Sequence, residues 1–155
     1  MSESLSKKTI HLATDHAGLE HKNEVKAWLE SEGFIVTDHG AYEFVATDDF
    51  PDFIQLAARA VSESNNTELG IIFGGSGQGE AMAANRFKGV RATVYYGGDE
   101  SIIKLSRQHN NANILSIGAR FVDVDSAKKV IWDWLHAEVL QDEKYARRND
   151  KLDQF

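Results

Sequence analysis

Five short apolar runs alternate with helical stretches along this chain, and that alternation constrains the fold more than any other feature. The runs cover residues 9–14, 34–37, 69–73, 90–96 and 114–117. Helical patterns fill residues 19–32, 52–64, 80–87, 99–108, 123–140 and 142–152. In the first, Val25, Trp28 and Leu29 share a face, and Gly33 stops the helix. Pro51, the only proline, suits a helix's first turn. Parallel strands need crossover connections, so the order predicts an α/β, Rossmann-like, doubly wound five-stranded parallel sheet with flanking helices and a C-terminal helical extension. With no repeat and no internal linker, residues 1–155 are expected to form one domain. The first seven residues are polar and expected to be loose, and residues 41–50 read as the most flexible loop.

In such sheets ligands bind beyond the carboxyl ends of the strands. After the third strand comes Gly74-Gly75-Ser76-Gly77-Gln78-Gly79-Glu80. The glycines leave backbone N–H groups unscreened, and at a helix N-terminus those donors favour an anion. Glu80 is expected to open the helix, where its carboxylate faces the positive end of the dipole. One loop thus offers an anion cradle and a base. It is not a nucleotide P-loop, because Gly79 is followed by Glu80-Ala81 and not Lys-Ser/Thr. Nor is it the usual dinucleotide fingerprint, which follows a first strand with another glycine spacing.

Composition narrows the ligand. A net charge of −7 argues against nucleic acid and anionic membranes as partners. No apolar run has the length of a membrane span, and the N-terminus lacks a signal-like apolar segment, so a cytoplasmic enzyme is expected. Without cysteine there are no disulfides and no thiolate chemistry. His11, His21, His39 and His136 show no metal-ligand spacing.

Other candidates lie along the chain. Asp15 and His16 follow the first strand; the carboxylate can orient a sugar hydroxyl and the imidazole can meet a phosphate. Residues 109–113, His-Asn-Asn-Ala-Asn, read as a polar turn at the amino end of the fifth strand. A neighbouring subunit could bring His109 and Asn110 to the site, which points to a dimer with shared sites. Lys144 and Arg148 share a face of the last helix, and Arg120 can join them as a local cation cluster in an acidic chain.

Together these residues resemble the ribose-5-phosphate isomerase B family, which includes the galactose-6-phosphate isomerase subunits. The likeness runs from Asp15 to Arg148, through DHAG and Lys22, FPD (50–52), GGSGQGE, AANR (83–86), GVRA (89–92), RQHNNANILSIGAR (107–120) and the RR pair. It implies aldose–ketose isomerisation of a phosphorylated sugar, with neither a metal nor an organic cofactor, by a homodimer or dimer of dimers. Many members carry a cysteine base where Gly74 stands; a subgroup with this chain's Gly-Gly-Ser-Gly-x-Gly-Glu pattern uses the glutamate. By resemblance, Glu80 is the base and Ser76 with the amides of Gly75, Gly77 and Gly79 forms the anion hole. Asp15 and Asn110 position sugar hydroxyls, and the partner's His109 opens the furanose ring. His16, Arg120, Lys144 and Arg148 hold the phosphate. Lys144, Tyr145 and Phe50 depart from a frequent arginine, histidine and tyrosine. The implied substrate is ribose 5-phosphate, interconverted with ribulose 5-phosphate. The alternatives are allose or galactose 6-phosphate, or a non-catalytic sugar-phosphate-binding module.

Overall fold

The structure is a computed structural model that describes residues 8–155. The expectation for the first seven residues lies outside the described residues. The strands are β1 (Thr9–Thr14), β2 (Ile35–Asp38), β3 (Leu69–Gly74), β4 (Ala92–Tyr95) and β5 (Ile114–Gly118). The helices are α1 (Leu19–Ser31), α2 (Phe50–Glu63), α3 (Gln78–Ala84), α4 (Ser101–Asn110), α5 (Val124–His136) and α6 (Glu143–Leu152). A 3-10 turn, His16–Gly18, follows β1. All strand pairs are parallel, in the order β2-β1-β3-β5-β4.

Strand periodicity divides the core in two. Ile10, Leu12, Ile71, Phe73, Leu115 and Ile117 face α1, α4 and α5, where Trp134 is fully buried. Ala13, Ile72 and Ile114 face α2 and α3 and meet Ile54, Ala57 and Ala58. Both faces are covered, so the central strands read as continuous apolar runs. Among the described residues no helix is long and apolar enough to cross a membrane.

The site's position follows from this topology. From β1 the chain passes through α1 to one edge of the sheet; from β3 it passes through α3 toward the other. α1 and α3 cover opposite faces, so the turns after β1 and β3 diverge and leave a crevice between them.

Several boundaries differ from the sequence expectation. α3 begins at Gln78, not Glu80, because Gly77 (φ 79°) makes the N-cap in a left-handed conformation. It ends at Ala84, and α5 ends at His136. α4 continues to Asn110, so His109 and Asn110 are helical and not part of a polar turn. The turn proper begins at Asn111, whose left-handed φ of 45° an asparagine tolerates.

Candidate active site

Glu80 lies in the first turn of α3 and is 4% exposed. Its carboxyl group lies over Gly74, where a Cβ would fall inside it. Burial pushes the Glu80 pKa above the usual carboxylate range. Its own amide and that of Gly77 pull it down, and Asp15 across the crevice pushes it up. Burial outweighs the helix N-terminus, the reverse of what the helix dipole alone predicts.

The glycine loop is braced from β5. Ser116 Oγ donates to the Gly77 carbonyl at 2.7 Å, and the amides of Ala119 and Arg120 donate to the carbonyls of Gly74 and Gly75. The Arg120 guanidinium lies over Gly75, and the Phe50 ring fills the space beside Gly79. Among the described residues, no carbonyl accepts from the amides of Gly75 or Ser76. Those donors remain available to an anion.

On the β1 side Asp15 is buried, and its Oδ1 accepts from the Ala17 amide at 2.9 Å. Its Oδ2 lies 4.0 Å from His16 Nδ1. Asp48, on the segment 39–49, accepts from the His16 amide at 3.1 Å and meets Nδ1 at 2.6 Å. Among the described residues, Asp15, His16 and Asp48 are the acids and histidines close enough to share a cation, their ligand atoms lying within 4.8 Å. The 2.6 Å His16–Asp48 pair is a hydrogen bond. A cleft of about 510 Å³ opens beside His16, lined also by Glu20, His21 and Phe44.

Of the other residues expected at the site, His109, Asn110, Lys144 and Arg148 lie at the opposite end of the sheet. α4 leads into β5, whose Ile114 pairs with Gly70 near the start of β3. There the His109 ring stacks on Tyr145 (4.4 Å, 16°), and Asn149 bonds both the His109 carbonyl and the Asn110 side chain. Lys144 and Arg148 are exposed on α6. One chain therefore brings together Asp15, His16, Gly75, Ser76, Gly77, Gly79, Glu80 and Arg120, and holds the other four apart.

Asp38 and Asp48 escaped the sequence analysis. Lys22 is fully buried, and both Asp38 oxygens lie 2.7 Å from its ammonium. Asp38 also accepts from the Gly40 amide, so this pair fixes the start of segment 39–49. Asp48 fixes its end. Neither has a sequence signal beyond being a charged residue near an element boundary.

The family model described as ribose/galactose isomerase matches residues 10–152. The chain is 39% identical over 143 residues to the probable ribose-5-phosphate isomerase B of Mycoplasma genitalium, covering 92% of each protein. It is 35% identical over 147 residues to ribose-5-phosphate isomerase B of Mycolicibacterium paratuberculosis, covering 94% of this chain and 90% of that one. The crystal structure of the Mycoplasma genitalium enzyme with bound ribulose-5-phosphate superposes with a TM-score of 0.89 at 38% identity, covering 94% of both chains. The Clostridium thermocellum ribose-5-phosphate isomerase B gives 0.86 at 35% identity, covering 94% of this chain and 95% of that one.

Proposed function

The chain belongs to the ribose/galactose isomerase family, and from that premise we propose that it interconverts ribose 5-phosphate and ribulose 5-phosphate, as a single domain over residues 1–155. The observation that carries this reading is a buried carboxylate, Glu80, over Gly74 in the crevice between β1 and β3, beside unsatisfied loop amides. Glu80 removes the proton from C2 of the open-chain aldose and returns it to C1, while the hydroxyl proton on O2 passes to O1. The charge between these steps sits on an enediolate oxygen. A carboxylate is a modest base toward carbon, so that oxygen needs donors. The amides of Gly75 and Gly79, with the Ser76 side chain, supply them, each donor being worth about 3 kcal/mol, while the Gly77 amide bonds the Glu80 carboxylate. A raised Glu80 pKa strengthens the base.

Asp15 orients sugar hydroxyls, and His16 and Arg120 hold the phosphate. His109, Asn110, Lys144 and Arg148 serve the partner's site in a homodimer. The support is their position at the amino end, beyond reach of Glu80 in the same chain. A cysteine base at position 74 is incompatible with this Glu80 rotamer, which favours the glutamate assignment.

The test is turnover of ribose 5-phosphate by wild type and Glu80→Gln, with EDTA present. Turnover that survives chelation and drops at least about 1,000-fold in the variant supports the assignment. Turnover kept by the variant moves the base elsewhere. The family also embraces galactose isomerases, so parallel assays on allose and galactose 6-phosphate separate five- from six-carbon preference.

A further inference from the structure

The His16 imidazole is held by one short segment that is neither helix nor strand. Segment 39–49 leaves β2 and pairs with the end of β1 through Thr14, whose amide donates to the Gly40 carbonyl and whose carbonyl accepts from Ala41, both at 2.8 Å. It then places two side chains against His16. Phe44 meets the imidazole edge-on, at 5.8 Å and 84°. Asp48 takes the backbone amide and Nδ1 of the same residue.

We propose that Asp48 is a positioning residue that fixes His16 with its proton on Nδ1 and its Nε2 presented to the phosphate of the substrate. The inference rests on the sugar-phosphate reading of the site. An ionised carboxylate can only accept, so a 2.6 Å contact with Nδ1 requires Nδ1 to donate. The Asp48 side chain is 10% exposed, and among the described residues no lysine or arginine pairs with it. Its second oxygen is buried without a partner. Its hydrogen bonds therefore all go to His16. The other charged group facing the imidazole is Asp15, 4.0 Å from Nδ1. No partner within the described chain occupies Nε2. With Nδ1 donating to Asp48, Nε2 can accept from a phosphate hydroxyl when the ring is neutral or donate to a phosphate oxygen when it is an imidazolium, and in either form Asp48 holds the ring from behind. Its role falls on binding of the phosphate group and not on proton transfer at carbon.

The test combines kinetics with ring-nitrogen NMR on the full-length protein. With ribose 5-phosphate, Asp48→Ala is expected to raise KM about tenfold and leave kcat within about twofold. Asp48→Asn keeps an acceptor in place but removes the charge, and is expected to raise KM about threefold. Adding Asp48→Ala to His16→Ala is expected to change KM no further, whereas an independent loop-stabilising role multiplies the two effects. Two-bond ¹⁵N–¹H spectra are expected to show Nδ1 protonated in the wild type and a shift toward the Nε2–H tautomer in Asp48→Ala. A multiplied KM effect, a loss confined to kcat, or a wild-type neutral ring protonated on Nε2 overturns the proposal. A wild type that does not turn over ribose 5-phosphate overturns the functional reading instead, and the spectra still decide the tautomer.

Discussion

The two ends of the sheet are both rich in polar side chains, but they use them differently. At the amino end the chain satisfies itself. Arg91, with a side chain 7% exposed, donates to the carbonyls of Gly89, Asn110 and Asn111 and to the Asn66 side chain. Asn113 ties the Arg91 amide to the Gly89 carbonyl, and Asn149 ties α6 to α4. Arg107 is the partial exception. Among the described residues its Nε is buried without a partner, its guanidinium lies over Trp134, and burial with repulsion from Arg91 lowers its pKa to about 10. At the carboxyl end, bonds are left unmade. Among the described residues, Glu80 is buried without a cation, loop amides lack carbonyl partners, and Asp48 keeps a bare oxygen. Polar groups that cancel one another hold a fold together, whereas polar groups left in deficit can do chemistry on something else.

Substitutions at each end should therefore separate stability from turnover. The largest contrast is expected at Glu80. Glu80→Gln abolishes isomerisation yet stabilises the protein at neutral pH. Because the folded pKa is raised, protonated Glu80 favours the native state at low pH, and that contribution is lost as pH rises through the folded value. Urea titrations of both proteins from pH 4 to 8 should show a gap that is widest at neutral pH and closes on acidification. A gap of the opposite sign would break the comparison. Next is Gly74→Ala. The added Cβ meets the far end of a flexible side chain, so Glu80 swings aside, the fold persists and kcat/KM falls about 100-fold. Circular dichroism beside kinetics checks both halves.

Across the two ends, mixing inactive Glu80→Gln subunits with inactive His109→Ala subunits should restore about a quarter of wild-type activity after random re-pairing, if each site draws on both chains. No recovery after denaturation and refolding together would leave His109 a structural partner of Tyr145. Arg91→Ala is expected to cost on the order of 3 kcal/mol of stability through stranded carbonyls, with kcat per folded molecule retained. The smallest effect is a displacement of the acid limb of kcat/KM, expected above the ordinary glutamate value of about 4.3.

Much of this was legible in the chain. Period-two strands, amphipathic helices and glycine stops are local signals, so the sheet and all six helices could be drawn within a few residues. α3, seven residues long, was displaced because a glycine cap carries no side-chain signature. The run from His109 to Asn113 looked like a turn because asparagines favour turns, yet tertiary packing on α6 extends α4 through Asn110.

Sequence by itself determined the parallel α/β order, the glycine loop and the candidate base at its end, because each rests on residues adjacent in the chain. Only the tertiary structure decided the sign of the Glu80 shift, the burial of Lys22 against Asp38, and the clasp of Asp48 on His16. Those depend on desolvation and on contacts between residues far apart in the chain, 32 positions for His16 and Asp48, and neither is written in local pattern.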